Sequence, residues 1–233
     1  MPDPEITSLA ATERTRLRRK SERGSLERVE INEILDEALI CQIGFNDAGT
    51  TFVLPSTFVR IGDQVYLHGA PGNRMLRIAA SGQEICLSVT LLDALVLARS
   101  AFHHSMNYRS VMVLGRGTKV EDDDEKLAAL LATVEHMARG RSLDARDPSH
   151  AELRATLVVR IPIDEGSAKV RRGGPIDDPE DMALPIWAGQ IPLTTAAGPA
   201  IAEPDLPSGA EIPAYAVDYP DRTKRIGQSP SGD

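Results

Sequence analysis

Apolar residues recur along this chain at two different periods. In "EINEILDEALI", residues 30 to 40, Ile31, Ile34, Leu35, Ala38 and Leu39 fall at helical spacing, which predicts a short amphipathic helix. The segments "ICQIGF", "TTFVLPSTFVRIG" and "QVYLHGA" follow, separated by the turn residues of "NDAGT" and "IGDQ", and predict a meander of antiparallel strands. "GNRMLRIAASGQ" predicts a short helix stopped at Gly82. Further strands are expected at "EICLSVTLL", at "YRSVMVLGRGTKV" and along the whole of "AELRATLVVRIPIDEGSAKV". Between the last two lies "DDDEKLAALLATVEHMARG", with acidic residues in its first turn, Leu127, Leu130, Leu131 and Val134 on one face and Gly140 near its end, the pattern of a capped helix.

Many short strands and a few helices, without a repeating strand-helix rhythm, give a mainly β architecture of a barrel with flanking helices. The flanks read differently. Residues 1–28 carry clustered arginines with little periodicity, which makes them either an arm that orders by lying on something else or a solvated tail. Residues 29–172 are the barrel domain, and residues 173–233, rich in Pro, Gly, Asp and Ala, form an extended arm that ends in a disordered tail, "SPSGD".

Composition narrows the picture. Aromatic residues make up 4% of the chain against 42% hydrophobic residues in total, so the core should be aliphatic. A net charge of −8 argues against a general nucleic-acid or anionic-membrane binder. Cys41 and Cys86 each sit in an apolar run, as buried reduced thiols do, and no metal centre is suggested. No segment has the apolar length of a signal peptide or a membrane span, so a cytoplasmic location is expected.

The local chemistry concentrates in "YLHGAPGNRML", residues 66 to 76. A strand ends at His68, Gly69 and Gly72 allow a sharp turn, and Asn73 caps a helix that opens with Arg74. Amide groups and a guanidinium would converge there on a phosphate dianion, although a glycine turn before a capped helix is also a common structural arrangement. In "ARSAFHHSMNYRSVMVLG" the adjacent His103 and His104 cannot both face one pocket in extended geometry. Lys169, Arg171 and Arg172 in "SAKVRRGGP" read better as solvated charges at a strand end than as a phosphate clamp. Trp187, the sole tryptophan, reads as an anchor pinning the carboxy-terminal arm to the barrel.

Four blocks, "ILDEALICQIGF", "VYLHGAPGNRMLR", "VTLLDALVLARSAFHHSMNYRSVMVLG" and "IDEGSAKVRRGGP…LPIWAGQIPL", resemble in order the pyridoxamine phosphate oxidase-like flavin-nucleotide-binding proteins, of the branch that includes nitroimidazole reductases. The resemblance covers about residues 12 to 195. It implies an FMN-binding split barrel, a six-stranded antiparallel Greek-key β-barrel that forms a homodimer with flavin at the interface. It further implies that Arg74, with Asn73, Met75 and Gly69 of the same turn, holds the FMN phosphate. Pro55, Ser56 and Thr57 would line the isoalloxazine ring, and Asn107, Tyr108, Arg109 and Ser110 would approach it, across the dimer where the geometry requires. His68 matches a position close to the flavin and is the candidate catalytic residue. The basic carboxy-terminal signature of true pyridoxamine phosphate oxidases is replaced here by "WAGQIPLT", which puts vitamin B6 oxidation in doubt. The expected function is FMN-dependent oxidation or reduction of a small organic molecule. The alternative is a non-catalytic protein that binds FMN, a deazaflavin or haem, with His68 or His103 as the axial ligand of the last.

Overall fold

The computed structural model describes residues 7–207 and 209–219, so the tail "SPSGD" lies outside the described residues. Helix α1 (Arg28–Glu37) leads into strands β2 (Ile40–Asp47) and β3 (Thr50–Thr57); a preceding two-residue strand, β1, is Gly24–Ser25. After β4 (Val59–Ile61) and β5 (Gln64–Gly69) come helix α2 (Arg74–Ala80) and the long strands β6 (Glu84–Leu97) and β7 (Ser105–Arg116). The remainder comprises β8 (Thr118–Lys119), α3 (Asp123–Met137), α4 (Arg141–Asp144), α5 (His150–Arg154), β9 (Leu157–Pro162), β10 (Glu165–Arg171) and β11 (Gly189–Pro192).

The strands form two antiparallel sheets. One runs β1-β10-β7-β6-β2-β3 with β11 added to β6, and the other runs β4-β5-β9-β8. Seven and four strands thus stand where the resemblance implied six; the arms supply two of the additional ones, with Gly24 paired to Lys169 and Gly189 to Leu97.

The main core lies between the sheets. Cys41, Ile43, Phe45, Ile85, Leu87, Val89, Val111 and Val113 of the large sheet meet Val65, Leu67, Val159 and Ile161 of the small one, closed by Ile31, Ile34 and Leu35 of α1 and Leu76 of α2. The small sheet is buried on both faces. Its other side, with Val59, Tyr66 and Val158, packs beneath Ala129 of α3. Double burial explains why the single strand expected over residues 151–170 is instead a helix and two strands: with apolar residues on both faces, the alternation that marks a boundary is masked. A capping box between Ser149 and Glu152 starts α5, and after β9 the chain passes from the small sheet to the large one. "TTFVLPSTFVRIG" likewise divides at the fully buried Phe58, with β3 in one sheet and β4 in the other.

From residue 7 onward the amino-terminal arm lies on the large sheet. Leu9 is buried, its N–H donates to the Leu26 carbonyl at 2.8 Å, and Arg14 bridges Glu84 and Glu165. Burial pushes the Cys41 thiol up to about 12 and raises that of Cys86 more modestly. Because only the thiolate alkylates, iodoacetamide at about pH 8 is expected to modify Cys86 well before Cys41 in the folded protein. Equal rates would show that β2 opens readily.

Candidate functional site

The strand-turn-helix unit from β5 to α2 forms as its residues dictate. Asn73 Oδ1 accepts from the Leu76 N–H at 3.2 Å, and Gly82, at φ 78°, lies just beyond the end of the helix. Gly69 serves close packing, since a Cβ there would come 2.9 Å from the Leu76 side chain. Neither Gly69 nor Gly72 has a positive φ, so the turn itself does not need glycine. Met75 points into the main core, which corrects its expected role: only its backbone is available to a ligand.

Arg74 is the accessible cation at the turn itself; Arg77, also exposed, follows one helical turn later. Its guanidinium lies 4.1 Å from the centroid of the Phe52 ring, which is itself stacked on Phe45, and its nearest carboxylate, Asp47, is 3.5 Å away. The side chain remains 53% exposed. A phosphate can therefore approach without breaking a tight ion pair. Since α2 has only seven residues, its dipole adds little and the guanidinium must supply most of the attraction.

His68 leaves this unit on another face. It pairs with Val158 and shares its side of β5 with Tyr66, whereas α2 packs against the side that carries Leu67 and Gly69. Proximity in sequence to Arg74 therefore does not put the His68 ring beside a ligand held by Arg74 of the same chain. Burial lowers the His68 pKa, so the ring is neutral at pH 7, and it makes no hydrogen bond to the described residues.

The other expected contacts divide by face as well. Pro55 and Thr57 lie on the outer face of the edge strand β3, with Ser56 facing the opposite way, paired with buried Cys41. Tyr108 and Ser110 occupy the outer face of β7, where Ser110 Oγ donates to the Lys169 carbonyl. On the inner face, Arg109 is claimed by two carboxylates. It hydrogen-bonds both carboxylate oxygens of Glu37 and both of Asp93, which raises its pKa and leaves a single N–H, on Nη1, for any other acceptor. Asn107 is buried, its Oδ1 accepting from Arg171 and its Nδ2 donating to Gln190 of β11 at 2.5 Å. These two residues brace the sheet.

The histidine pair is resolved by its partners. His103 Nε2 faces Asp178 at 3.1 Å, whereas His104 Nδ1 lies 2.9 Å from the Ser100 carbonyl, an arrangement that leaves Nε2 unclaimed. Trp187 is 66% exposed and covers Gly189, so the arm is anchored by β11 and by Asp177, which receives Arg99, and not by the indole. Arg171, read as a solvated charge, is buried; Arg172 is the exposed one. The outer face of the large sheet displays Ile40, Val53, Leu92, Met106 and Ile191, each more than a third exposed. Such a row marks a surface for a flat ligand or another chain. No helix among the described residues is long and apolar enough to cross a membrane.

A family model described as pyridoxamine 5′-phosphate oxidase matches residues 27–170. The flavocytochrome Anf3 of Azotobacter vinelandii is 36% identical, with a TM-score of 0.84 over 89% of this chain and 96% of that one. An FAD and haem binding protein of Mycobacterium smegmatis is 34% identical, with a TM-score of 0.79 over 83% and 95% of the two chains. A 5-nitroimidazole antibiotic resistance candidate of Bacteroides thetaiotaomicron is 26% identical, with a TM-score of 0.53 over 62% and 84%. No curated protein matches the chain.

Proposed function

Because the chain belongs to the pyridoxamine 5′-phosphate oxidase-like family of flavin-nucleotide-binding split barrels, we propose that it is a flavin-dependent oxidoreductase acting on a small organic molecule. The observation that carries the reading is Arg74, an accessible guanidinium fixed over Phe52 beside a capped turn. It would hold the flavin phosphate, with FMN the smallest nucleotide that meets this requirement. Bound flavin supplies hydride or single-electron transfer through its ring. The chain's part is to bind and orient it: Arg74 and the Asn73 turn at the phosphate, and the backbone of Pro55, Ser56 and Thr57 along the ring.

Tyr108 and Ser110 lie on the outer face of the large sheet, away from Arg74 of their own chain. A homodimer that covers the apolar outer face would complete the site from two copies, with Tyr108 and Ser110 reaching the partner's flavin. Arg74→Ala is expected to weaken FMN binding about tenfold or more, the lower end for a hydrogen bond to a charged group, in a fluorescence titration with riboflavin as control. Riboflavin binding as tightly as FMN in the wild type would defeat the phosphate anchor.

The relatives from Azotobacter and Mycobacterium favour a second reading, in which FAD and haem bind together. Haem requires an imidazole with a free nitrogen: the neutral, unbonded His68 meets that requirement, His104 meets it through Nε2, and His103, whose Nε2 faces Asp178, only through Nδ1. An absorption spectrum of the purified protein separates the readings. Two flavin bands alone support the first, and flavin bands with a Soret band support the second. If His68 ligates iron, His68→Ala shifts or abolishes the Soret band and leaves the flavin bands unchanged.

A further inference from the structure

Six arginines among the described residues have side chains that are not exposed: Arg23, Arg28, Arg60, Arg99, Arg109 and Arg171. Arg28, Arg60, Arg99 and Arg109 each touch a carboxylate, Asp63, Asp36, Asp177, and Glu37 with Asp93, at no more than 2.8 Å. Arg171 is the most buried of the six, only 5% exposed, yet no carboxylate among the described residues lies within 4 Å of it. Instead, Nη1 donates to Asn107 Oδ1 and, at 3.0 Å, to the Gly173 carbonyl, while Nη2 donates to the Gly174 carbonyl at 3.0 Å. Nε is buried and has no acceptor. One N–H of Nη2 is also unclaimed, since a guanidinium carries five.

The neighbourhood adds positive charge. Gly24 pairs with Lys169, which brings Arg23 near the end of β10, and among the described residues Arg23 is paired only with the carboxylate of its neighbour Glu22, 4.0 Å away. Burial, and then the charge of Arg23, lowers the Arg171 pKa, while Tyr108, its cross-strand neighbour, acts in the opposite sense. A buried cation without a counter-ion is strongly disfavoured, and neutral carbonyls offset only part of the desolvation cost.

We propose that Arg171, with Arg23 beside it, is the receptor for an oxyanion, a phosphate or carboxylate group of a bound small molecule, distinct from the group held at Arg74. The two cations belong to opposite ends of the large sheet. Arg171 ends β10 and Arg74 covers Phe52 of β3, with four strand spacings between those strands, roughly 19 Å along the sheet. Within one chain, one phosphate cannot serve both. The receptor does not depend on the flavin reading, and it applies equally to a second phosphate of a dinucleotide, a haem propionate or free phosphate.

Thermal unfolding and equilibrium titration of the cofactor-stripped full chain test this, using wild type, Arg171→Gln and Arg171→Lys with inorganic phosphate, FMN, FAD and ferric haem as probes. The expected result is that at least one probe stabilises the wild type above a chloride control of equal ionic strength, and that Arg171→Gln lowers its affinity tenfold or more. Arg171→Lys, which keeps the charge and loses the planar fork, should be intermediate. A response to phosphate alone assigns a free phosphate, to FAD but not FMN a second phosphate, and to haem alone a propionate. Without any probe, Arg171→Gln should unfold no earlier than the wild type, because it removes an uncompensated charge. Overturning results are equal affinities of wild type and both variants for every probe, or a carboxylate of a second copy found seated on Arg171. Loss of ligand-free stability in Arg171→Gln without any change in binding would reduce Arg171 to a clamp on Gly173 and Gly174. Failure of the wild type to bind any flavin, with an Arg171-dependent response to phosphate or haem retained, would defeat the flavin reading and leave this inference standing.

Discussion

Arg109→Ala is expected to cost about 3–5 kcal/mol of folding stability, the penalty for breaking a buried ion pair from one side. Arg109 ties Glu37, at the end of α1, to Asp93, where the register of β6 shifts, and its side chain is 12% exposed. Without it the two carboxylates lose the cation that bridges them. Acid relieves the mutual repulsion of the two carboxylates, so the deficit should shrink as the pH is lowered. Urea unfolding at several pH values measures this. A loss below about 1 kcal/mol at neutral pH would show that solvent screens the cluster, as it does for exposed pairs. The same experiment bears on the site: if Arg109 held a flavin phosphate, Arg109→Ala would abolish flavin binding in protein that is still folded.

A comparable loss, about 3–5 kcal/mol, is expected for Phe58→Ala. Phe58 is fully buried at the point where the chain leaves one sheet for the other, and its ring lies 5.8 Å from that of His136 on α3. His136 in turn contacts the Ala38 carbonyl at 2.7 Å, so one aromatic position joins α1, α3 and the crossover between sheets. A chain with four phenylalanines has no spare ring to refill the cavity. Phe102→Ala is the control, because Phe102 is 89% exposed and its removal should change stability by less than about 0.5 kcal/mol. Similar unfolding midpoints for the two variants would mean that the region around Phe58 collapses onto the gap.

What the sequence determined by itself is the set of elements whose signals are local. The acidic first turn and Asp122 cap of α3, the Asn73 cap of α2, the glycine stop at Gly82, the alternating runs of β2, β6 and β7 and the apolar run of β5 between turn residues each depend on residues a few positions apart. Propensity and capping act over that distance and are legible without a fold. The four blocks also carried the family, which the match over residues 27–170 bears out. Only the tertiary structure decided the roles of the arginines. Arg109 meets Glu37 from 72 positions away, Arg171 meets Asn107 from 64 positions away, and "KVRR" gives no sign that Arg171 is buried while Arg172 is not. The division of residues 151–170 into α5, β9 and β10 was equally hidden, because β9 is covered by the main core on one side and by α3 on the other, and a strand buried on both faces loses the period that marks its ends.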